Sequence, residues 1–259
     1  MGRRTIQKSI LVGSVALVFA IPASVLASAG PISANIIEIT ATADGKTGTF
    51  TQIFPVASID GTYAWQLPAP VVLQSGATEL AVVEDASVAY NADPAVDLGF
   101  QVKNTSPWPA VFKITAGTIV FDPAPNAEAR AGASITLTQG AGSAAGASIT
   151  GKFPYGKIYE ARYSTNAFVN TQTVFVDLVS SFLFNRGLSQ SQSEEIPDPD
   201  VMEFAPLGVT VHMIESQFWF GLSAGDLASG TSIFEIVPEP ASVLLLAFGG
   251  LLLARRRMA

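Results

Sequence analysis

The chain has 259 residues and not one cysteine. Without thiols there are no disulfides, so stability has to come from a packed core, and thiolate metal sites and thiol catalysis are excluded. Histidine occurs once, at His212, which excludes a zinc centre built from several imidazoles. Basic residues are scarce between the two ends. Of 14 Lys and Arg, three are Arg3, Arg4 and Lys8 and three are Arg255, Arg256 and Arg257, which leaves 8 against 21 Asp and Glu, a net charge of −13 between Gly30 and Pro240. A nucleic-acid partner needs a basic footprint that this stretch lacks. Such a surplus suits a soluble exported protein or one that meets cations. Also missing are a long helical stripe of period 3.6, a repeat of fixed period and a G-x-S-x-G nucleophile elbow.

What is there, between the ends, is a succession of short alternating runs punctuated by glycine and proline. Asn35 to Thr42 and Thr47 to Phe54 flank Asp44-Gly45, a hairpin signal. Tyr63 to Gln66, Val71 to Gln74 and Glu79 to Tyr90 read as strands. Val96 to Lys103 puts Val96, Leu98, Phe100 and Val102 on one face, and after the turn Asn104-Thr105-Ser106-Pro107 the run Ala110 to Thr115 reads as the returning strand of a hairpin. Gly117 to Phe121 continues the sheet until Pro123 and Pro125. Ser134, Thr136 and Thr138 alternate with Ile135 and Leu137. Tyr155 to Tyr163 and Phe168 to Leu183 follow, the latter with Val174, Val176 and Leu178 on one face and Phe175 opposite; a short helix near Val179 to Phe184 competes with the strand. Ser189 to Pro206 is polar and acidic and reads as a long loop. Gly208 to Leu222 and Thr231 to Val237 close the domain around a Gly225-Asp226 turn. Many short strands with this punctuation predict an all-β, antiparallel β-sandwich of jelly-roll type.

The ends read differently. In residues 1–29, a basic start is followed by the apolar run Ile10 to Ile21 and the small-x-small Ala27-Ser28-Ala29, the order of a secretory signal peptide. Arg3-Arg4 faintly resembles a twin-arginine signal, but no cofactor motif favours that route over the general one. The expected organisation is a signal peptide at 1–29, an exported all-β domain at 30–236 and a terminal segment at 237–259. That segment opens with Pro238-Glu239-Pro240, continues as an uncharged apolar run from Ala241 to Ala254 and ends in Arg255, Arg256 and Arg257. The prolines keep the first part out of a helix, and Pro240 suits the first position of the helix that follows. At about 1.5 Å per residue the apolar run covers about 21 Å, short of a bilayer core of about 30 Å. The arginines would snorkel to the interface and place the C-terminus on the cytoplasmic side.

This order of parts resembles the PEP-CTERM sorting signal of bacterial exported proteins, over about a tenth of the chain. The resemblance implies recognition by an exosortase, a membrane transpeptidase-like enzyme, with processing near Pro238-Glu239-Pro240. It also implies a Gram-negative host that makes extracellular polysaccharide, with passage through the inner membrane to the cell surface or extracellular matrix. The segment Val96 to Lys113 and the run Phe220 to Asp226 loosely resemble cargo domains that carry this signal, and name no activity.

Within the domain five kinds of chemistry have candidate residues. Gly146 to Lys152 matches the first seven positions of a P-loop, but Phe153 stands where Ser or Thr should hold magnesium and Pro154 forbids the helix. His212 sits in a strand-like alternation with no nucleophile motif for a triad. Carboxylate pairs for glycosidase work are plentiful (Glu84 and Asp85, Asp93 and Asp97, Glu194 and Glu195, Asp198 and Asp200), yet spacing alone cannot set any pair across a cleft. Glu194, Glu195, Asp198 and Asp200 are also the candidate calcium ligands, since calcium takes several oxygens from flexible loops; no other cofactor is implied. Of the aromatics, Tyr63 and Trp65, Trp108, Tyr155 and Tyr159, and Phe218-Trp219-Phe220 could stack on sugars; core packing is the usual role of such residues, and Trp108, between two prolines, is the exposed candidate. The sequence thus points to a non-enzymatic surface or matrix component with a structural or adhesive role. A glycan-binding module and a secreted carboxylate-dependent hydrolase are the alternatives.

Overall fold

A computed structural model describes residues 35–53, 62–91, 94–140, 146–166, 172–185 and 189–238. The expected signal peptide, Glu239, Pro240 and the Arg255 to Arg257 cluster lie outside the described residues. Pro238 follows the last strand and is exposed.

The described residues are strands joined by turns, with a single 3-10 turn at Pro154–Gly156. In chain order the strands are β1 Asn35–Ala43, β2 Lys46–Ile53, β3 Tyr63–Gln66, β4 Val71–Ser75, β5 Thr78–Asn91, β6 Ala95–Asn104, β7 Ala110–Ala116, β8 Ile119–Ala124 and β9 Glu128–Thr138. Then come β10 Ala147–Gly151, β11 Lys157–Ser164, β12 Thr173–Ser180, β13 Phe182–Phe184, β14 Ser189–Ile196, β15 Ala205–Pro206, β16 Val211–Leu222 and β17 Leu227–Val237. They form two antiparallel sheets. The first runs β12-β11-β16-β7-β1-β2, with β8 and β10 also on β16 and β13 on β10; the second runs β14-β9-β17-β6-β5-β3, with β15 on β9 and β4 on β5.

Local chemistry accounts for much of this. Asp44 and Gly45 both adopt positive φ, 48° and 70°, and join Ala43 to Lys46 as a two-residue hairpin, the geometry that matches strand twist. On β6, Val96, Leu98, Phe100 and Val102 are all buried, as the alternation predicts. The two sheets meet through aromatic rings. Phe100 of the second sheet lies 4.9 Å from Phe218 and 5.8 Å from Phe220 of the first, and Phe220 stacks on Phe112 at 5.7 Å. Centroid separations of this size are the favourable range for ring pairs. Two polar links cross the same interior. Tyr90 Oη donates to Ile36 O at 2.6 Å, and Ser216 Oγ and Ser232 Oγ share a hydrogen bond of 3.0 Å.

Four expectations need correction. Ala110 to Thr115 is a strand, but not a hairpin partner of Val96 to Lys103: β6 pairs with β5 and β17, whereas β7 pairs with β1 and β16 in the facing sheet. The connection 105–109 is a corner between sheets. Alternation cannot distinguish a strand that returns alongside from one that returns opposite, since both bury one face. Ser189 to Pro206 is not a loop throughout. Ser189–Ile196 pairs with β9 over eight positions as a polar edge strand, the composition that discourages further edge pairing. The helix near Val179 to Phe184 is not formed; Phe182–Phe184 pairs with β10. Val174, Val176 and Leu178 do not share one face with Phe175 opposite. Ala161 pairs with Val176 and Arg162 with Val174, so Phe175 is the extra residue of a bulge, and it stacks on Phe234 at 5.7 Å while Val174 is exposed.

A trough across the outer face of the second sheet

Register brings six strands of the second sheet into common rungs. One outward rung reads Ser193, Ser134, Thr231, Gly99, Ser87 and Gln66, from β14 to β3. The outward rung next to it reads Glu195, Gly132, Ile233, Asp97, Ala89 and Ala64. The rung between them turns inward and carries Ala133, Ser232, Leu98 and Val88, all buried. Six strands at about 4.8 Å spacing span about 24 Å. Over these rungs lies a hollow of about 810 Å³, and an adjoining one of about 260 Å³ shares Ser87, Gly99, Ser134 and Thr231 and adds Asp85, Gln101, Thr136 and Ser229.

The trough exists because its floor has almost no side chains. Gly99 and Gly132 stand in the middle of long strands, where glycine normally weakens pairing and marks a close approach. A Cβ on Gly132 would make only ordinary contacts, 3.5 Å to Ile233 Cγ2 and 3.6 Å to Glu195 Cγ; on Gly99 it would meet Ser87 Oγ at 2.6 Å. Hydroxyl and amide groups border the floor, and Ile233, Ala64 and Ala89 supply apolar patches. Asp97 is the carboxylate nearest the middle, on β6. Burial first, and then the charge of Glu235, raise its pKa, while Arg130 opposes the rise. Arg130 is itself held by Glu235 at 2.8 Å. Gln101 Nε2 donates to Glu84 at the far end.

Of the residues singled out from sequence, Glu195 and Asp97 border the trough and Asp85 its adjoining hollow, while most of the others point elsewhere. Glu195 borders the trough over Gly132, while its neighbour Glu194 points to the other side of β14 and pairs with Lys157 at 2.8 Å, closing one flank of the sandwich. Asp198 and Asp200 lie beyond the strand, in a turn where Asp198 Oδ1 accepts from the Asp200 N–H at 3.0 Å. Adjacent strand positions face opposite ways, so the calcium quartet Glu194, Glu195, Asp198 and Asp200 is not drawn to one point; among the described residues no group of three or more such ligands gathers. Glu84 is engaged by Gln101, and Asp93 lies outside the described residues. Ala147–Gly151 is a strand, not the loop of a nucleotide site. His212 is half-buried near the start of β16. Trp108 is 57% exposed, as its prolines suggested, but it stands at the corner 105–109, outside the trough. Trp65 turns inward and packs 6.1 Å from Phe50.

That corner ties together the segments Val96 to Lys113 and Phe220 to Asp226. Asn104 is fully buried; its Nδ2 donates to Trp108 O at 2.9 Å and to Leu222 O and Ser223 O at 3.1 Å, and its Oδ1 accepts from Ser106 N at 3.0 Å. Asp226, equally buried, accepts from Gly140 N at 2.9 Å and from Ser223 Oγ. Their polar groups are saturated within the protein, so this is an architectural knot and not a free site.

Sequence reasoning missed the trough. Its signal was present in Gly99 and Gly132, each set inside an alternating run with small polar residues on the outward positions, but nothing local says that they share a floor.

No family model matches the chain, and no curated protein matches it in sequence. Among solved structures, TmCBM61 in complex with β-1,4-galactotriose is similar at a TM-score of 0.27 and 12% identity, over 71% of this chain and 92% of that one. The adhesin domain of Epf from Streptococcus pyogenes is similar at a TM-score of 0.28 and 10% identity, over 77% of this chain and 57% of that one. Both scores are too low for either likeness to bear on what this chain binds.

Proposed function

We propose that this protein is an exported surface or matrix component that adheres by laying a neutral polysaccharide chain along the trough of its second sheet. The observation that carries the reading is the floor of Gly99 and Gly132 bordered by Ser87, Ser134, Thr231 and Gln66. A flat floor with almost no side chains accepts an extended chain, and hydroxyl and amide groups match sugar hydroxyls as both donors and acceptors. Asp97 and Glu195 accept hydrogen bonds from neutral sugars, stronger than neutral acceptors would give, and they repel uronates. Delivery is through the C-terminal Pro238-Glu239-Pro240 segment, its apolar run and its arginines, read by an exosortase-type enzyme in the inner membrane of a Gram-negative cell. Binding, rather than hydrolysis, fits a trough whose outward rungs are mostly small and uncharged.

The test is affinity electrophoresis of the full chain, purified in detergent, through gels holding neutral glucans, galactans or mannans. At least one should retard the parent. Gly132→Leu fills the floor from a position where a Cβ is tolerated, so it should abolish retardation while leaving the melting temperature within a few degrees of the parent's. If no neutral polymer retards the parent, or if the variant is retarded equally, the trough is not the binding surface.

A further inference from the structure

We propose that the outer face of the first sheet is a second, separate carbohydrate surface, centred on Trp219 and built for acidic polysaccharide chains bearing uronate carboxylates. Trp219 stands on β16, an interior strand, yet is 38% exposed. Its neighbours Phe218 and Phe220 are fully buried, so the alternation of the strand turns the indole outward. Phe153 supports it edge-on at 5.7 Å, which fixes the ring as a platform.

Two lysines flank this ring. Lys113 on β7 is its direct cross-strand partner, a position that sets the two Cβ atoms about 5 Å apart. Lys152 donates its backbone N–H to Trp219 O at 3.0 Å. Its side chain lies across the sheet, with Cε and Nζ 3.4 and 3.7 Å from where a Cβ on Gly221 would stand. The missing side chain at Gly221 is what lets it lie there.

Charge decides the partner. The stretch between Gly30 and Pro240 carries only 8 basic residues against 21 acids, and three of the eight, Arg130, Lys157 and Arg162, are held in ion pairs. Lys113 and Lys152 are in none of these pairs although carboxylates are abundant. The nearest acids by register are Glu38 on β1, one diagonal step from Lys113 and in none of these pairs, and Glu160 on β11, one diagonal step from Trp219 and already engaged by Arg162 and Gln217. Two ammonium groups beside an exposed indole offer what a uronate needs: a ring to stack on and cations for its carboxylates. The trough, lined by Asp97 and Glu195, offers the opposite. Two faces of opposite preference would let one molecule join two kinds of chain in a matrix.

The surface does not depend on the trough and is tested apart from it. The full chain would be titrated with polygalacturonate and with its methyl ester at low ionic strength, followed by tryptophan fluorescence and affinity electrophoresis. Arg255, Arg256 and Arg257 are present in every variant, so the readout is the difference between parent and variant. Lys113→Gln with Lys152→Gln should weaken polygalacturonate binding roughly tenfold, the sum of two exposed charge pairs, and leave binding of the ester unchanged. Trp219→Phe should remove the fluorescence response, and Gly132→Leu should change neither. Three results would each overturn the proposal: a parent that does not distinguish acid from ester, a double lysine variant that binds like the parent, or a loss of uronate binding in Gly132→Leu.

Discussion

Replacing Asp177 by Asn gives a stability test with a defined sign. Asp177 on β12 stands opposite Glu160 on β11. Its pKa is pushed up to about 6 from 3.8, first by burial and then by the hydrogen bond and the charge of Glu160, with Arg162 and Lys157 pulling the other way. Glu160 cannot swing away: it is 3% exposed and is held by Arg162 Nε and by Gln217 Nε2, the latter at 3.2 Å. Asp177 Oδ1 and Gln217 Oε1 are buried beside it without a hydrogen-bond partner. The folded state therefore holds a proton on Asp177 that the unfolded chain releases at lower pH. Because the folded pKa is the higher one, the stabilisation is complete below 3.8 and is lost as pH rises through about 6. Two units correspond to about 3 kcal/mol; Asp177 is only half-buried, and solvent screening leaves about 1 kcal/mol. Asn donates the same hydrogen bond to Glu160 at every pH. Asp177→Asn should then be the more stable by about 1 kcal/mol near pH 8, or about 2–4 °C in melting temperature for a domain of this size. The advantage should vanish near pH 4, below the point where the parent releases its proton. Thermal melts of the full chain followed by circular dichroism across this range would read it. If the parent and the variant melt in parallel at all pH values, the shared proton does not exist and the reasoning fails.

Other outcomes are expected. Asn104→Ala removes four hydrogen bonds of a fully buried side chain, and urea unfolding should show a loss of about 2–4 kcal/mol; a loss under 1 kcal/mol would mean that water replaces the amide at the corner. Under the proposed sorting route, Glu239→Ala should leave the protein in the membrane with the tail attached, and an intact mass equal to that of the matured parent would show that the motif is not read.

How much of this was legible in the chain depends on the range of the forces involved. Strand positions followed from period-two alternation, and the β1–β2 hairpin from Asp44-Gly45, because side-chain direction and positive φ are local properties. The inward face of β6 came from the same rule. The absence of thiols and of a helical stripe left a cored all-β domain as the remaining solution. Tertiary structure alone decided which sheet each strand joins. Val96 to Lys103 and Ala110 to Thr115 have the same pattern, yet Asn104 and the aromatic contacts with Phe220 send them to facing sheets. Ser189–Ile196 has no apolar face to announce itself and becomes a strand only because β9 offers it unpaired backbone groups. The trough and the Trp219 surface are further still from local reading. Residues 66, 87, 99, 134, 193 and 231 come together through inter-strand hydrogen bonds between distant segments, and the pairing register, which no single segment encodes, determines what lies beside what.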